Sequence, residues 1–168
     1  YAKQLEKAQD VDQRSAIISK MWRNPSVNDI YEPGSTFKLI TASAALEEDK
    51  VFADEVFYDS GYVKIKDRTI KNWTSRPYGS LTFRKAVEES VNTVFVPVAN
   101  RLGAETFRKY IEAFGYGSKT GIEIPGEAEG IIYPLSKTGE VELATMSFGQ
   151  SISVTPLQMI NSVAAIAN

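Results

Sequence analysis

The chain has 168 residues, 43% of them hydrophobic, which suits one ordinary domain with a sizeable core and argues against a disordered or fibrous segment. Its 19 basic and 21 acidic residues are scattered and sum to a charge of -2, so no basic stripe faces a phosphate backbone and nucleic acid is a poor partner. Histidine and cysteine are absent, which removes Ser-His-Asp and Cys-His chemistry, disulfides, and the usual zinc, haem and iron-sulfur ligand sets. Nucleophilic chemistry here must use other residue types. No apolar run approaches the roughly 18 residues of a membrane span, so any exporting or anchoring element is expected outside these residues.

In chain order, Tyr1 to Ala8 reads as a short helix, Gln13 to Ser19 as a small strand around Ala16-Ile17-Ile18, and Arg23 to Gly34 as turns. From Thr36 to Glu48 the sequence TFKLITASAALEE, with Phe37, Ile40, Ala44 and Leu46, predicts a helix apolar almost all round and therefore buried. Tyr62-Val63-Lys64-Ile65-Lys66 alternates as half-exposed strands do, between turns at Asp59-Ser60-Gly61 and Asp67-Arg68. Ser80 is the expected N-cap of the next helix, whose Phe83, Ala86 and Val87 carry Ser90 onto the same inward face. A helix beginning near Thr93 bears Val94, Phe95, Val98 and Leu102, places Pro97 in its first turn, and stops at Gly103. Ala104 to Phe114 is helical by the spacing of Phe107, Tyr110, Ile111 and Phe114, closed by Gly115. Gly115 to Tyr133 reads as loop and short strand. The last helix starts with Thr155 as N-cap and Pro156 as first helical residue, then runs through Met159, Ile160, Val163 and Ile166.

The sharpest chemical feature is Pro33-Gly34-Ser35-Thr36-Phe37-Lys38, where a glycine turn delivers a serine to the start of the most apolar helix. Lys38 lies three residues on and faces Ser35 across one helical turn. The helix dipole and apolar burial both favour the neutral amine, which can take the serine proton. The free N–H groups of the same turn can hold the anion formed when the hydroxyl attacks a carbonyl. Ser-x-x-Lys arises by chance roughly once in a chain of this length, and its plain reading is a capped helix with a surface lysine. Two facts weigh against that reading: Ser35 to Lys38 is the sole match, and it opens the buried helix.

Tyr31-Glu32-Pro33-Gly34-Ser35-Thr36-Phe37-Lys38 resembles the first active-site motif of class B penicillin-binding proteins, division or sporulation type, and Ser90-Val91-Asn92 resembles their second. The likeness continues through Thr120 to Glu127, Ser147-Phe148-Gly149-Gln150 and Ser153 to Met159. It implies an α+β fold: the helical part of the penicillin-binding transpeptidase and serine β-lactamase fold, with an incomplete antiparallel sheet, as one partial domain over residues 1–168. It further implies Ser35 as nucleophile, Lys38 as its base, Ser90 as proton shuttle, Asn92 as partner of substrate and lysine, and Gln150 as a substrate contact. The implied reaction is serine acyl transfer on D-Ala-D-Ala stem peptides of peptidoglycan, with β-lactams trapping the same serine and no metal or organic cofactor. Partners would be peptidoglycan stem peptides, β-lactam antibiotics and other cell-wall synthesis proteins, at the extracytoplasmic face of a bacterial membrane. The family's third motif, Lys-(Thr/Ser)-Gly on a strand, follows the Thr-Pro-Leu-Gln-Met helix, so the pocket is expected to be incomplete at Asn168 and activity impaired. A β-lactamase or carboxypeptidase-type hydrolase, or an inactive binding or sensor module, stays open as an alternative.

Several look-alikes are set aside. Ser26-Val27-Asn28 precedes Ser35 and reads as a solvated turn; Lys119-Thr120-Gly121 and Lys137-Thr138-Gly139 do not read as the edge of a sheet. Glu32 beside the nucleophile turn is expected to complement a helix dipole rather than act as a base. Trp22, Trp73 and Tyr78 are expected to anchor local core, and Glu127, Glu129, Glu140 and Glu142 to be solvated.

Overall fold

Asp10 decides the first departure from the sequence reading. In the computed structural model, which describes residues 1–74 and 76–168, its side chain accepts from the Gln13 N–H at 2.7 Å and caps helix α2 (Val11–Trp22) behind α1 (Ala2–Lys7). The strand expected at Gln13 to Ser19 is therefore helix. Three adjacent apolar residues lack the alternation a strand needs, and an N-cap followed by Gln13, Arg14 and Ala16 favours the helix. A single turn of helix, α3 (Pro25–Asn28), then leads into a 3₁₀ turn at Gly34–Phe37 and the central helix α4 (Lys38–Glu47).

α4 is buried because it lies between two hydrophobic clusters. Phe37, Ile40 and Ala44 pack with Phe107, Ile111, Tyr116, Ile152 and Met159, while Ala42 and Ala45 pack with Phe57, Leu81, Phe83 and Phe95. Aromatic rings pack at a tilt on both sides, Phe37 against Tyr116 at 5.2 Å and Phe83 against Phe95 at 5.8 Å. The burial is not complete: Leu39 and Leu46 point outward at 37% and 43% exposure, so Leu46 is not the core residue expected.

Strands β1 (Val56–Asp59), β2 (Tyr62–Ile65), β3 (Arg68–Lys71) and β4 (Gly79–Thr82) follow. β2 and β3 form the expected hairpin, with Tyr62 opposite Lys71, and β1 pairs with β4, Phe57 opposite Leu81. Ser80 therefore lies in a strand, and Thr82, accepting from the Lys85 N–H, caps helix α5 (Phe83–Glu88). Helix α6 (Asn92–Leu102) starts one residue earlier than expected and holds Pro97 in its interior, where no proline N–H reaches the Thr93 carbonyl. Gly103, at φ 78°, ends it. Helix α7 (Ala104–Ala113) buries Phe107 and Ile111.

Beyond a long loop, β5 (Ile131–Ile132) pairs antiparallel with β6 (Ile152–Ser153), and between them lies α8 (Glu140–Met146), a helix the sequence reading did not foresee. The last helix, α9 (Pro156–Ala167), has the expected Thr155 N-cap and adds a reciprocal bond, Thr155 N–H to Gln158 Oε1 at 2.9 Å. Gln158 Nε2 also donates to the Ser118 and Glu129 carbonyls and so pins the long loop. Helices with three short antiparallel strand pairs among the described residues make this an α+β fold, as expected.

Candidate active site

Ser35 and Ser90 are delivered by turns, and Lys38 and Asn92 by the first positions of α4 and α6. Gly34, at φ +58°, turns the chain so that Ser35 enters the 3₁₀ turn exposed, while Lys38 three residues on is only 2% exposed. The turn is clamped from outside: the Gly34 N–H donates to the Gly149 carbonyl at 2.9 Å, and a Cβ built on Gly149 would lie 2.1 Å from the Gly34 oxygen. Gly149, at φ +75°, is thus required twice, for its conformation and for close approach. Gln150 follows it, exposed beside the nucleophile turn, its N–H on the Thr145 carbonyl.

Ser90 is not the next turn of α5. The helix ends at Glu88, and Ser90 stands in the left-handed region at φ 56°. Its N–H returns to the Val87 carbonyl and the Val91 N–H to the Ala86 carbonyl, a helix terminus that usually carries glycine. A serine there costs about 1–2 kcal/mol relative to glycine. Ser90→Gly is accordingly expected to raise stability by about 0.5–1 kcal/mol in denaturant unfolding while depressing any acylation of Ser35. A variant losing both stability and acylation would contradict this strain assignment.

Lys38 Nζ is where the motifs meet. It lies 2.6 Å from the Ser90 carbonyl oxygen, 2.7 Å from Asn92 Oδ1, 2.8 Å from Ser90 Oγ and 3.3 Å from Ser35 Oγ, with the Phe95 ring centroid at 5.3 Å. The Asn92 amide is oriented by its own donor, Nδ2, on the Lys71 carbonyl at 2.9 Å, which leaves Oδ1 toward the lysine. Two of the four partners, the Ser90 carbonyl and Asn92 Oδ1, can only accept. They occupy both N–H groups of a neutral amine and leave its lone pair for a hydroxyl proton. Burial lowers the Lys38 pKa from 10.5 to about 8, so the neutral form is within reach near physiological pH.

Other expectations fare less evenly. Ser26-Val27-Asn28 is no solvated turn: Val27 is buried, and Asn28 Nδ2 donates to the Pro125 and Gly126 carbonyls, latching the long loop. Glu32 Oε1 accepts from the Ser151 N–H at 2.9 Å, which ties it to the chain after Gln150 rather than to Ser35. Trp22 and Trp73 are 74% and 76% exposed and anchor no core, whereas Tyr78 packs against the second cluster. Glu127 accepts from the Thr120 and Gly121 N–H groups, and Glu142 from that of Gly139, so these two staple loops instead of standing free in water. Both Lys-Thr-Gly segments lie off the strands, the second leading into α8. Missed from sequence altogether were the Gly149 contact, the left-handed Ser90 and the Lys71 carbonyl; the glycine between Phe148 and Gln150 was the one available signal.

The α+β fold frames a meeting of Ser-x-x-Lys with Ser-x-Asn at one buried lysine, and the chain belongs to the penicillin-binding protein transpeptidase family. The profile of the penicillin binding protein transpeptidase domain matches residues 3–168. Among relatives, Stage V sporulation protein D of Bacillus subtilis is 45% identical over 158 residues, 94% of this chain and 24% of that protein. Peptidoglycan D,D-transpeptidase FtsI of Escherichia coli K12 is 30% identical over 154 residues, 92% of this chain and 26% of that protein. The transpeptidase domain of Burkholderia pseudomallei penicillin-binding protein 3 superposes with a TM-score of 0.82 at 28% identity, covering 86% of this chain and 44% of that one. Mycobacterium tuberculosis penicillin binding protein 3, solved in complex with aztreonam, gives 0.80 at 31% identity, covering 86% and 32%. The chain spans about a quarter of the length of these curated relatives.

Proposed function

We propose that this chain carries the nucleophile side of a D,D-transpeptidase site acting on the D-Ala-D-Ala ends of peptidoglycan stem peptides. Ser35 Oγ attacks the penultimate D-alanine carbonyl as its proton passes to Lys38 Nζ. The Ser90 hydroxyl, 2.8 Å from the same nitrogen, relays the proton to the departing D-alanine amine, and the carbon–nitrogen bond breaks to leave an acyl-serine. An amine of a neighbouring strand then takes the acyl group, and Ser35 regains its proton. Asn92 holds the lysine, and Gln150, beside the nucleophile turn, contacts substrate. β-Lactams acylate the same hydroxyl. The observation that carries this reading is the buried Lys38 Nζ, whose donors are taken by two carbonyl oxygens while it faces the Ser35 hydroxyl.

The site is proposed to be completed by a Lys-(Thr/Ser)-Gly strand of the kind the family carries, and to work at the extracytoplasmic face of a bacterial membrane among other cell-wall synthesis proteins. No helix among the described residues is long and apolar enough to cross a membrane. Among the described residues no carboxylate hydrogen-bonds to Ser35, Lys38, Ser90 or Asn92, so a hydrolase that activates water through a neighbouring carboxylate has no support here. Fluorescent penicillin tests the assignment on the 168-residue chain, its Ser35→Ala variant, and a form that also carries the third motif. Stable labelling of the longer form, lost with Ser35→Ala, is the expected result. Rapid drug turnover would favour a hydrolase, and no label on any form a binding module.

A further inference from the structure

Among the described residues only two buried side chains bear a formal charge, Lys38 and Asp59. Asp59, at the end of β1, is completely buried, and among the described residues it forms no ion pair. Its carboxylate is instead saturated by donors: Oδ1 accepts from Thr93 Oγ1 at 2.6 Å and the Gly61 N–H at 2.8 Å, and Oδ2 from Asn72 Nδ2 at 2.9 Å and the Tyr78 N–H at 2.8 Å. The ionised carboxylate, all acceptor and no donor, satisfies all four such groups. Burial pushes its pKa up, but the Thr93 hydroxyl, the Tyr78 and Gly61 N–H groups and the Asn72 amide outweigh that and hold it below the ordinary value.

The placement of those donors bears on the site. Asn72 Oδ1 accepts in turn from the Thr93 N–H at 3.3 Å, so Asp59 grips Thr93 twice, through its hydroxyl and through Asn72. Asn72 follows Lys71 and Thr93 follows Asn92, and Lys71 and Asn92 are joined by the bond that aims Asn92 Oδ1 at Lys38. The residue after each end of that bond is thus tied to one carboxylate. We propose that Asp59 is a positioning residue for acyl transfer: it fixes β3 against the start of α6 and so keeps the Asn92 carbonyl on Lys38 Nζ. The inference rests on the acyl-transfer reading.

Asp59→Asn turns an amide donor toward two existing donors, and Thr93→Val removes one hydroxyl at nearly constant shape. In the form that also carries the third motif both are expected to slow acylation of Ser35 by fluorescent penicillin roughly ten- to a hundredfold, in the acylation step rather than in prior binding. Thr93→Ser keeps the hydroxyl and the rate, and Asp54→Asn, at an exposed carboxylate paired with Arg84, changes neither. The groups facing Lys38 Nζ are the Ser35 and Ser90 hydroxyls, the Ser90 carbonyl, the Asn92 amide and the Phe95 ring, all uncharged. An ammonium that loses the Asn92 oxygen releases its proton more readily, so the acid limb of the rate, and the Lys38 titration followed by NMR of labelled lysine, move to lower pH. A lowered melting temperature with the Lys38 titration unmoved overturns the proposal and leaves Asp59 a structural residue. If wild type fails to label, or Ser35→Ala still labels, the acyl-transfer reading falls, and the lysine titration still decides the role of Asp59.

Discussion

Replacing Lys38 by methionine is expected to slow acylation of Ser35 by about 10²–10⁴-fold at neutral pH, the usual contribution of a positioned proton acceptor. Stability should change far less, because two effects oppose each other. The variant leaves the Ser90 carbonyl and Asn92 Oδ1 without a donor, at no more than about 1–3 kcal/mol for each of these half-buried groups, and it also removes the burial of an ammonium. Lys38→Arg is the sharper test, since a guanidinium keeps its charge and cannot take the serine proton. Acylation by Lys38→Arg at near the wild-type rate would sink the neutral-amine base. The pH dependence follows from the same shift. The folded protein sheds the Lys38 proton near pH 8 and the unfolded chain near 10.5, so between these values the unfolded state binds more protons. The burial penalty is therefore fully present below about pH 8 and fades as pH rises toward 10.5, while the acylation rate climbs through its lower midpoint. Unfolding of wild type against Lys38→Met across that window should show the gain, and parallel curves would refute it.

Gly149→Ala is expected to be among the most damaging single changes in the chain, costing more than about 4 kcal/mol and abolishing acylation. Its methyl would lie 2.1 Å from the Gly34 oxygen and 2.7 Å from the Gly34 nitrogen, both backbone atoms that no side-chain rotation can clear. The Gly34 N–H to Gly149 carbonyl bond must then break, and the turn that presents Ser35 loses its clamp. Gly34→Ala is the matched comparison. It shares a positive φ, +58°, but meets no atom within 4 Å, so it should cost only about 1–2 kcal/mol of backbone strain. Denaturant midpoints of the two variants separate the effects, and equal losses would mean that close approach is not what Gly149 supplies.

Local rules served well where the answer was local. Thr155-Pro156 opening α9, Gly103 closing α6, the β2–β3 hairpin and the reach of Lys38 toward Ser35 each depend on neighbours within about one turn of chain. They failed where a distant partner decides. The β1–β4 pair joins residues across the hairpin between them, so nothing near Ser80 announces a strand. The left-handed Ser90 violates its own residue preference for the sake of Lys38, some 52 positions away.

The division follows from that difference in range. Unaided, the sequence determined the candidate pair: in a chain without histidine or cysteine, it sets a serine at the mouth of an apolar helix with a lysine one turn on, in reach of its proton. Tertiary structure alone decided how that lysine is tuned. The two carbonyl oxygens that take its N–H groups and the Asp59 anchor behind Asn92 come from segments far apart in the chain, and their meeting depends on packing rather than on periodicity.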